Sequence, residues 1–270
     1  MSLKIFVTVD LEGVGGYVRW DVADRQRERE LITKEANAAI AGAFDGGATE
    51  VLVAEAHGNM RNIIPELIDS RAVFLSGEPK LLNHMVGLDK TFNGAMLVGY
   101  HAKAGTLRAV MAHTYIGAIF SLKFNGLEVG EIGTDAAIAG HFDVPVIMVS
   151  GDAAACREAR ELIENVVTVD TKEGVSRYAA KCLSPNKAQN LIRAGAKDAV
   201  EKIGEIKPFK IKLPVKADLT FTDPSYADIA ENLSFVKRAD GRTISFEAKN
   251  FLEAFGLFNA IIYLGLYEDR

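Results

Sequence analysis

Four short runs in the first part of the chain are apolar on both faces: 4–9 (KIFVTV), 50–55 (EVLVAE), 72–75 (AVFL) and 94–99 (GAMLVG). A strand with one wet face alternates apolar and polar residues. A strand that is apolar throughout must be covered on both sides, as in a parallel sheet sandwiched by helices. Between the first two runs, Leu31, Ile32, Ala36, Ala39, Ile40 and Ala43 recur at helical spacing over 25–44, and Gly46-Gly47 stop that helix. This strand–helix–strand order restricts the chain to an α/β fold, with a mostly parallel sheet covered by helices on both faces. In such sheets ligands sit outside the carboxyl ends of the strands.

Metal-capable side chains stand at those ends. Asp10 closes the first run, His57 follows the second and His101 follows the fourth. Glu12 lies two residues beyond Asp10, so an extended chain points both to one side. Neighbouring carboxylates resist joint ionisation unless a cation lies between them. An N-cap or a surface acid pair would explain Asp10 and Glu12 alone, but not three such side chains at matching strand ends. Gly130-Glu131-Ile132-Gly133 leads into a helix of small residues expected at 135–141, so Glu131 lies near a helix N-terminus, which favours a carboxylate. His113 lies on the segment 108–115, expected to be extended, and reads as ligand, acid/base or neither. Carboxylate and imidazole without thiolate suit zinc, and also manganese or cobalt, in a hydrolytic site. The set exceeds what one catalytic zinc needs. It suits two ions about 3.5–4 Å apart, with Asp10 as the natural bridge. His84, in a short helical segment over 81–87, and His141, at a helix C-terminus, read as structural. The Gly13–Gly16 cluster lacks phosphate-loop spacing and reads as a tight backbone turn.

Further along, Asn125-Gly126 between apolar runs signals a hairpin over 119–129. A buried strand is expected at 144–150, an amphipathic helix at 153–163 and a short helix at 62–68. Beyond residue 165 come short strands at 166–170, 211–213 and 219–221, and a helix at 185–203 capped by Ser184. An edge strand at 243–248 and a Phe-rich closing helix at 250–267, suited to a core or a subunit interface, complete the chain. A soft boundary near 165 divides an α/β metal-site domain (1–165) from a smaller α+β portion (166–270). Net charge is −5 with no basic run, which argues against nucleic acid as a partner. No apolar stretch approaches the roughly 20 residues that span a bilayer. No charged-then-apolar leader precedes the first strand, and Cys156 and Cys182 lack CxxC spacing. The expectation is a cytoplasmic protein with free, buried thiols.

The phrases Val9-Asp10-Leu11-Glu12-Gly13, Ala56-His57, Gly99-Tyr100-His101-Ala102, Met111-Ala112-His113-Thr114 and Gly130-Glu131-Ile132-Gly133 resemble, in order and spacing, the zinc D-aminopeptidases of peptidase family M55. That family is typified by the bacterial dipeptide-transport-operon enzyme. Glu35-Ala36-Asn37, the segment 145–151 with Asp152, and Lys181-Cys182-Leu183-Ser184-Pro185 extend the resemblance over most of the chain. It implies that Asp10, Glu12, His57, His101 and Glu131 hold two zinc ions, with Asp10 bridging. It makes His113 the catalytic histidine, described in the family as a nucleophile; the chemistry alone would equally allow acid/base or transition-state stabilisation. It further implies removal of N-terminal D-residues, typically D-alanine, from short peptides and amides by a ring-shaped decamer whose sites face an internal channel. Two positions depart from the family pattern. Glu55 replaces an aspartate two before the metal histidine, where an acid one methylene longer could re-aim His57. Asp135 replaces an asparagine after the metal glutamate, where a charge could meet the ammonium of a substrate. A metal-dependent amidase or L-peptidase on the same scaffold, or a metal-stabilised oligomeric binding protein without turnover, are the competing readings.

Overall fold

The computed structural model describes residues 2–20 and 24–265. The apolar runs form β1 (Lys4–Val9), β2 (Glu50–Glu55), β3 (Val73–Leu75) and β4 (Gly94–Tyr100), and α1 (Arg25–Asp45) lies between the first two. The hairpin β5 (Ile119–Phe124) and β6 (Leu127–Val129) follows, then α2 (Glu131–His141), β7 (Val146–Asp152) and α3 (Ala153–Leu162). Next come β8 (Val167–Ser176), β9 (Ala179–Cys182) and α4 (Pro185–Glu201). The chain ends with β10 (Val215–Phe221), α5 (Pro224–Ala230), β11 (Lys237–Arg238), β12 (Thr243–Ala248) and α6 (Phe251–Gly265).

Seven strands make one sheet in the order β3-β2-β1-β4-β7-β8-β9, parallel except for the last pair. From β1 the chain winds one way, through α1 to β2. From β4 it winds the other way, through α2 to β7 and α3 to β8. Right-handed crossovers therefore place α1 on one face and α2 and α3 on the other; α4 packs beside α1. The winding reverses between β1 and β4, and a crevice opens at such a switch point. Two glycines let the backbones close up there. A Cβ on Gly13 would lie 2.1 Å from the Tyr100 carbonyl oxygen, and Gly99 sits at φ +72° with its Cβ position 2.2 Å from the Asp10 carbonyl.

Five antiparallel strands form a second sheet, β11-β12-β10-β5-β6. Its alternating burial, as in β10 and β12, fits a sheet with one covered face, and α5 and α6 cover it. α6 also packs on α2, and side chains of both sheets, such as Val149 and Leu219, share one contiguous apolar cluster. The sheets draw strands from both sides of residue 165: β8 and β9 extend the first, β5 and β6 belong to the second.

Several local expectations are corrected. Residues 62–68 form turns, consistent with Pro65 interrupting the segment, and residues 108–115 fold through turns with positive φ at Arg108, Met111 and Tyr115 instead of extending. Residues 211–213 are not a strand, and β12 is flanked by β11 and so is not an edge. Ser184 occupies the N-cap of α4 without a side-chain hydrogen bond. Of the two free thiols Cys156 is buried, but Cys182, on a strand that edges the sheet, is exposed. Leu266 and Tyr267 of the expected closing helix lie outside the described residues. Among the described residues no helix is long and apolar enough to cross a membrane.

Candidate metal centre

β1 and β4 deliver Asp10 and His101 to the two sides of the switch point. Asp10 is 3% exposed, and its two oxygens face opposite ways: Oδ1 lies 3.4 Å from His57 Nδ1 and Oδ2 lies 3.5 Å from His101 Nε2. Glu12 Oε2 is 2.9 Å from His57 Nδ1, and the Trp20 indole N–H donates to Glu12 Oε1 at 2.5 Å. On the other side, Glu131 Oε1 lies 3.3 Å from His101 Nε2 and 3.7 Å from His113 Nε2, and accepts the Tyr115 backbone N–H at 2.6 Å. The His101 and His113 rings stack with centroids 3.9 Å apart. Both use Nδ1 to donate to a backbone carbonyl, Ala102 for His101 and Met111 for His113. A carbonyl only accepts, so in the neutral ring each Nε2 carries the free lone pair, and it faces the cluster.

The six expected residues thus form two adjoining triads, Asp10–Glu12–His57 and His101–His113–Glu131. The donor atoms within each triad lie within 4.8 Å of one another. Protons alone balance the charge poorly. Burial and then Glu12 push the Asp10 carboxyl up to about 7. Burial would also raise Glu12 and Glu131, yet His57 holds Glu12 well below the usual range and His101 brings Glu131 to about 2. Burial opposes charge on His57 and His101 too, but Glu12 and Glu131 respectively hold them well above the usual imidazole value. His113 is pushed down, by burial and by His101. Asp10 Oδ2 and His101 Nε2 are buried and face each other without a hydrogen bond. Two inward lone-pair donors left unpaired among three buried carboxylates fit divalent cations. The donor set, all N and O, fits zinc.

Glu55 and Asp135 stand behind this layer. Glu55 is fully buried and acts through Asn62. Its Oε2 accepts the Asn62 backbone N–H, and the Asn62 amide donates to the His57 carbonyl at 2.7 Å, so it acts on the loop that carries His57. Asp135 is likewise enclosed. Its Oδ2 accepts from the Tyr100 hydroxyl at 2.7 Å and lies 3.0 Å from His84 Nδ1. The structure thus gives Asp135 to His84 and Tyr100, where the sequence suggested a substrate ammonium.

Other neighbours were not legible in the sequence. His84, assigned there to structure, reaches within 3.9 Å of Glu131 and stacks on Tyr115. Burial opposes its charge, but Asp135 lifts it to about 9. His84 and Tyr115 also wall a cavity of about 430 Å³, with Asn59, Asn83, Ile116 and Ile262. Lys172, buried on β8, donates through Nζ to the carbonyls of Glu12, Val14 and Tyr17, tying down the glycine-rich loop. A bulge at Thr171 turns two consecutive residues inward, which breaks the alternation that would have flagged Lys172. His84 stood out in the sequence only as a histidine among apolar neighbours, Leu81, Leu82, Met85 and Val86. Lys172 and Trp20 had no sequence signal.

The D-aminopeptidase model of peptidase family M55 matches residues 3–260. The chain belongs to this family. A D-aminopeptidase of Bacillus subtilis strain 168 is 38% identical over 259 residues, covering 94% of both sequences. Among solved structures, the zinc-dependent D-aminopeptidase DppA of Bacillus subtilis, described as a self-compartmentalizing protease, superposes with a TM-score of 0.94 at 36% identity. That match covers 98% of each chain, so in this M55 member both sheets and the switch-point crevice fall within the shared fold.

Proposed function

We propose that this M55 protein is a dinuclear-zinc aminopeptidase that removes N-terminal D-residues of the D-alanine kind from short peptides or amides. The observation that carries the reading is Asp10, whose two oxygens face two separate histidine–carboxylate groups. Asp10, Glu12 and His57 would hold one ion, and His101 and Glu131 the other, with Asp10 shared; manganese or cobalt would suit the same donors. Bound there, zinc supplies Lewis acidity, which polarises a carbonyl and eases ionisation of water. The protein supplies the rest. The backbone carbonyl of Met111 fixes the His113 ring with Nε2 toward the cluster, where it can exchange a proton with the reacting group or stabilise its charge. The cavity walled by His84 and Tyr115, side chains that reach Glu131 and Asp135, is roomy enough for a small N-terminal side chain.

The B. subtilis relatives named above support the activity and the metal. The description of DppA as self-compartmentalizing supports a homo-oligomer, and a decameric ring acting in the cytoplasm on short peptides belongs to the same proposal. The test is a panel of matched D- and L-alanyl amides with zinc-loaded protein. Preferential turnover of the D-series is expected. Equal or faster turnover of the L-series would replace this reading with an L-peptidase, and binding without hydrolysis would replace it with a binding protein.

A further inference from the structure

The cluster is rimmed on one side by aromatic and guanidinium groups that the metal-site reading leaves unused. Trp20 lies edge-on to His113, with ring centroids 5.3 Å apart, while its N–H is held by Glu12. The Arg177 guanidinium lies over the Trp20 ring at 5.5 Å and over the Tyr178 ring at 5.4 Å. Arg177 and Tyr178 form the turn between β8 and β9, and that turn is latched to the catalytic segment. The Met111 backbone N–H donates to the Arg177 carbonyl at 2.8 Å, and Arg177 Nη1 donates to the Ala112 carbonyl at 2.6 Å. Arg177 Nε points to the Tyr178 hydroxyl at 3.1 Å. Arg177 is nonetheless solvent-exposed, and the contacts named here use its Nη1 and Nε.

We propose that Arg177 receives the free carboxylate of a short peptide substrate and so selects peptides with an unblocked C-terminus one or two residues beyond the scissile bond. This rests on the aminopeptidase reading above. The distance fits: a single indole separates His113 from the guanidinium, and an extended residue spans about 3.3–3.6 Å. The charge is complementary: a guanidinium at the rim offers a free carboxylate a cationic partner beside the metal layer. The group is suited to the task, since a guanidinium held flat against aromatic rings loses little freedom on pairing with a carboxylate.

The test compares D-alanyl-D-alanine with its C-terminal amide, using zinc-loaded wild type and the variants Arg177→Gln and Arg177→Lys. Gln removes the charge but keeps a donor for the Ala112 carbonyl; Lys keeps the charge but not the planar fork. Wild type should favour the free dipeptide in kcat/KM. That preference should fall about tenfold or more in Arg177→Gln, mainly through KM, and less in Arg177→Lys. If Arg177 only latches the 111–113 segment, both substrates will slow together and the ratio will not move, which overturns the proposal. A wild type indifferent to the amide overturns it as well. If wild type turns over neither substrate, the aminopeptidase reading fails, and this inference with it.

Discussion

Asp10 shows how one side chain sets the properties of its surroundings. Its carboxyl is raised to about 7 by burial and by Glu12, while Glu12 and Glu131 hold His57 and His101 well above the usual imidazole value. Without metal the cluster therefore carries protons near neutrality, and ligation must displace them. Zinc affinity should rise as pH increases through about 7, with proton release on binding; calorimetry in buffers of different ionisation enthalpy reads both. Affinity that is flat over that range would mean that the carboxylates and imidazoles are not the ligands. Glu35 offers an independent test away from the ions. Its Oε1 accepts the Gly15 N–H, and burial raises the carboxyl from 4.5 to about 7. A raised acid pKa means that the folded state holds a proton that the unfolded state has lost. The associated stability is fully present below about 4.5 and is lost as pH climbs through about 7. At 1.36 kcal/mol per unit the loss is on the order of 3 kcal/mol. Glu35→Gln should flatten this slope in denaturant titrations across that window. An unchanged slope would assign the proton elsewhere.

At the scale of elements, the site depends on how strand ends are fastened. The loop after β1 carries Glu12 and Trp20 and is tied down by Thr171 and Lys172 at the β8 bulge, and by Glu35 on α1. Lys172→Met would strand three buried carbonyls at about 1–3 kcal/mol each. It should lower stability by several kcal/mol and weaken metal retention, with melting curves and metal analysis of one preparation as the check. A variant equally stable but poor in zinc would separate positioning from support. Strands β1, β2 and β4 and helix α1 were legible because apolar runs and 3.6-residue periodicity are local signals. Counting strand ends along the sequence likewise placed Asp10, His57 and His101 beyond β1, β2 and β4. The irregular 108–115 segment, the bulge at Thr171 and the reach of His84 to Asp135 are consequences of packing across the sheet, and no local pattern encodes them. Residue 165 was read as a boundary because strand patterning weakens there. The cause is that β8 and β9 lie at the sheet's margin, where one face is wetter.

For the whole molecule, the second sheet and α6 close over the metal-site layer through α2 and share its apolar cluster, so both halves must fold together. A single unfolding transition is expected by circular dichroism and by Trp20 fluorescence; two separated midpoints would show independent units. Light scattering should return a mass several times the 29.2 kDa of one chain if the protein assembles as proposed. A monomer at working concentration would remove the ring from the account. The most direct measurement is zinc per chain on protein purified without chelator, wild type against Asp10→Ala. Because Asp10 faces both triads, about two ions per chain are expected in wild type, with both sites weakened in the variant. Little metal in wild type, or metal content untouched by Asp10→Ala, would contradict a shared two-ion centre at the switch point.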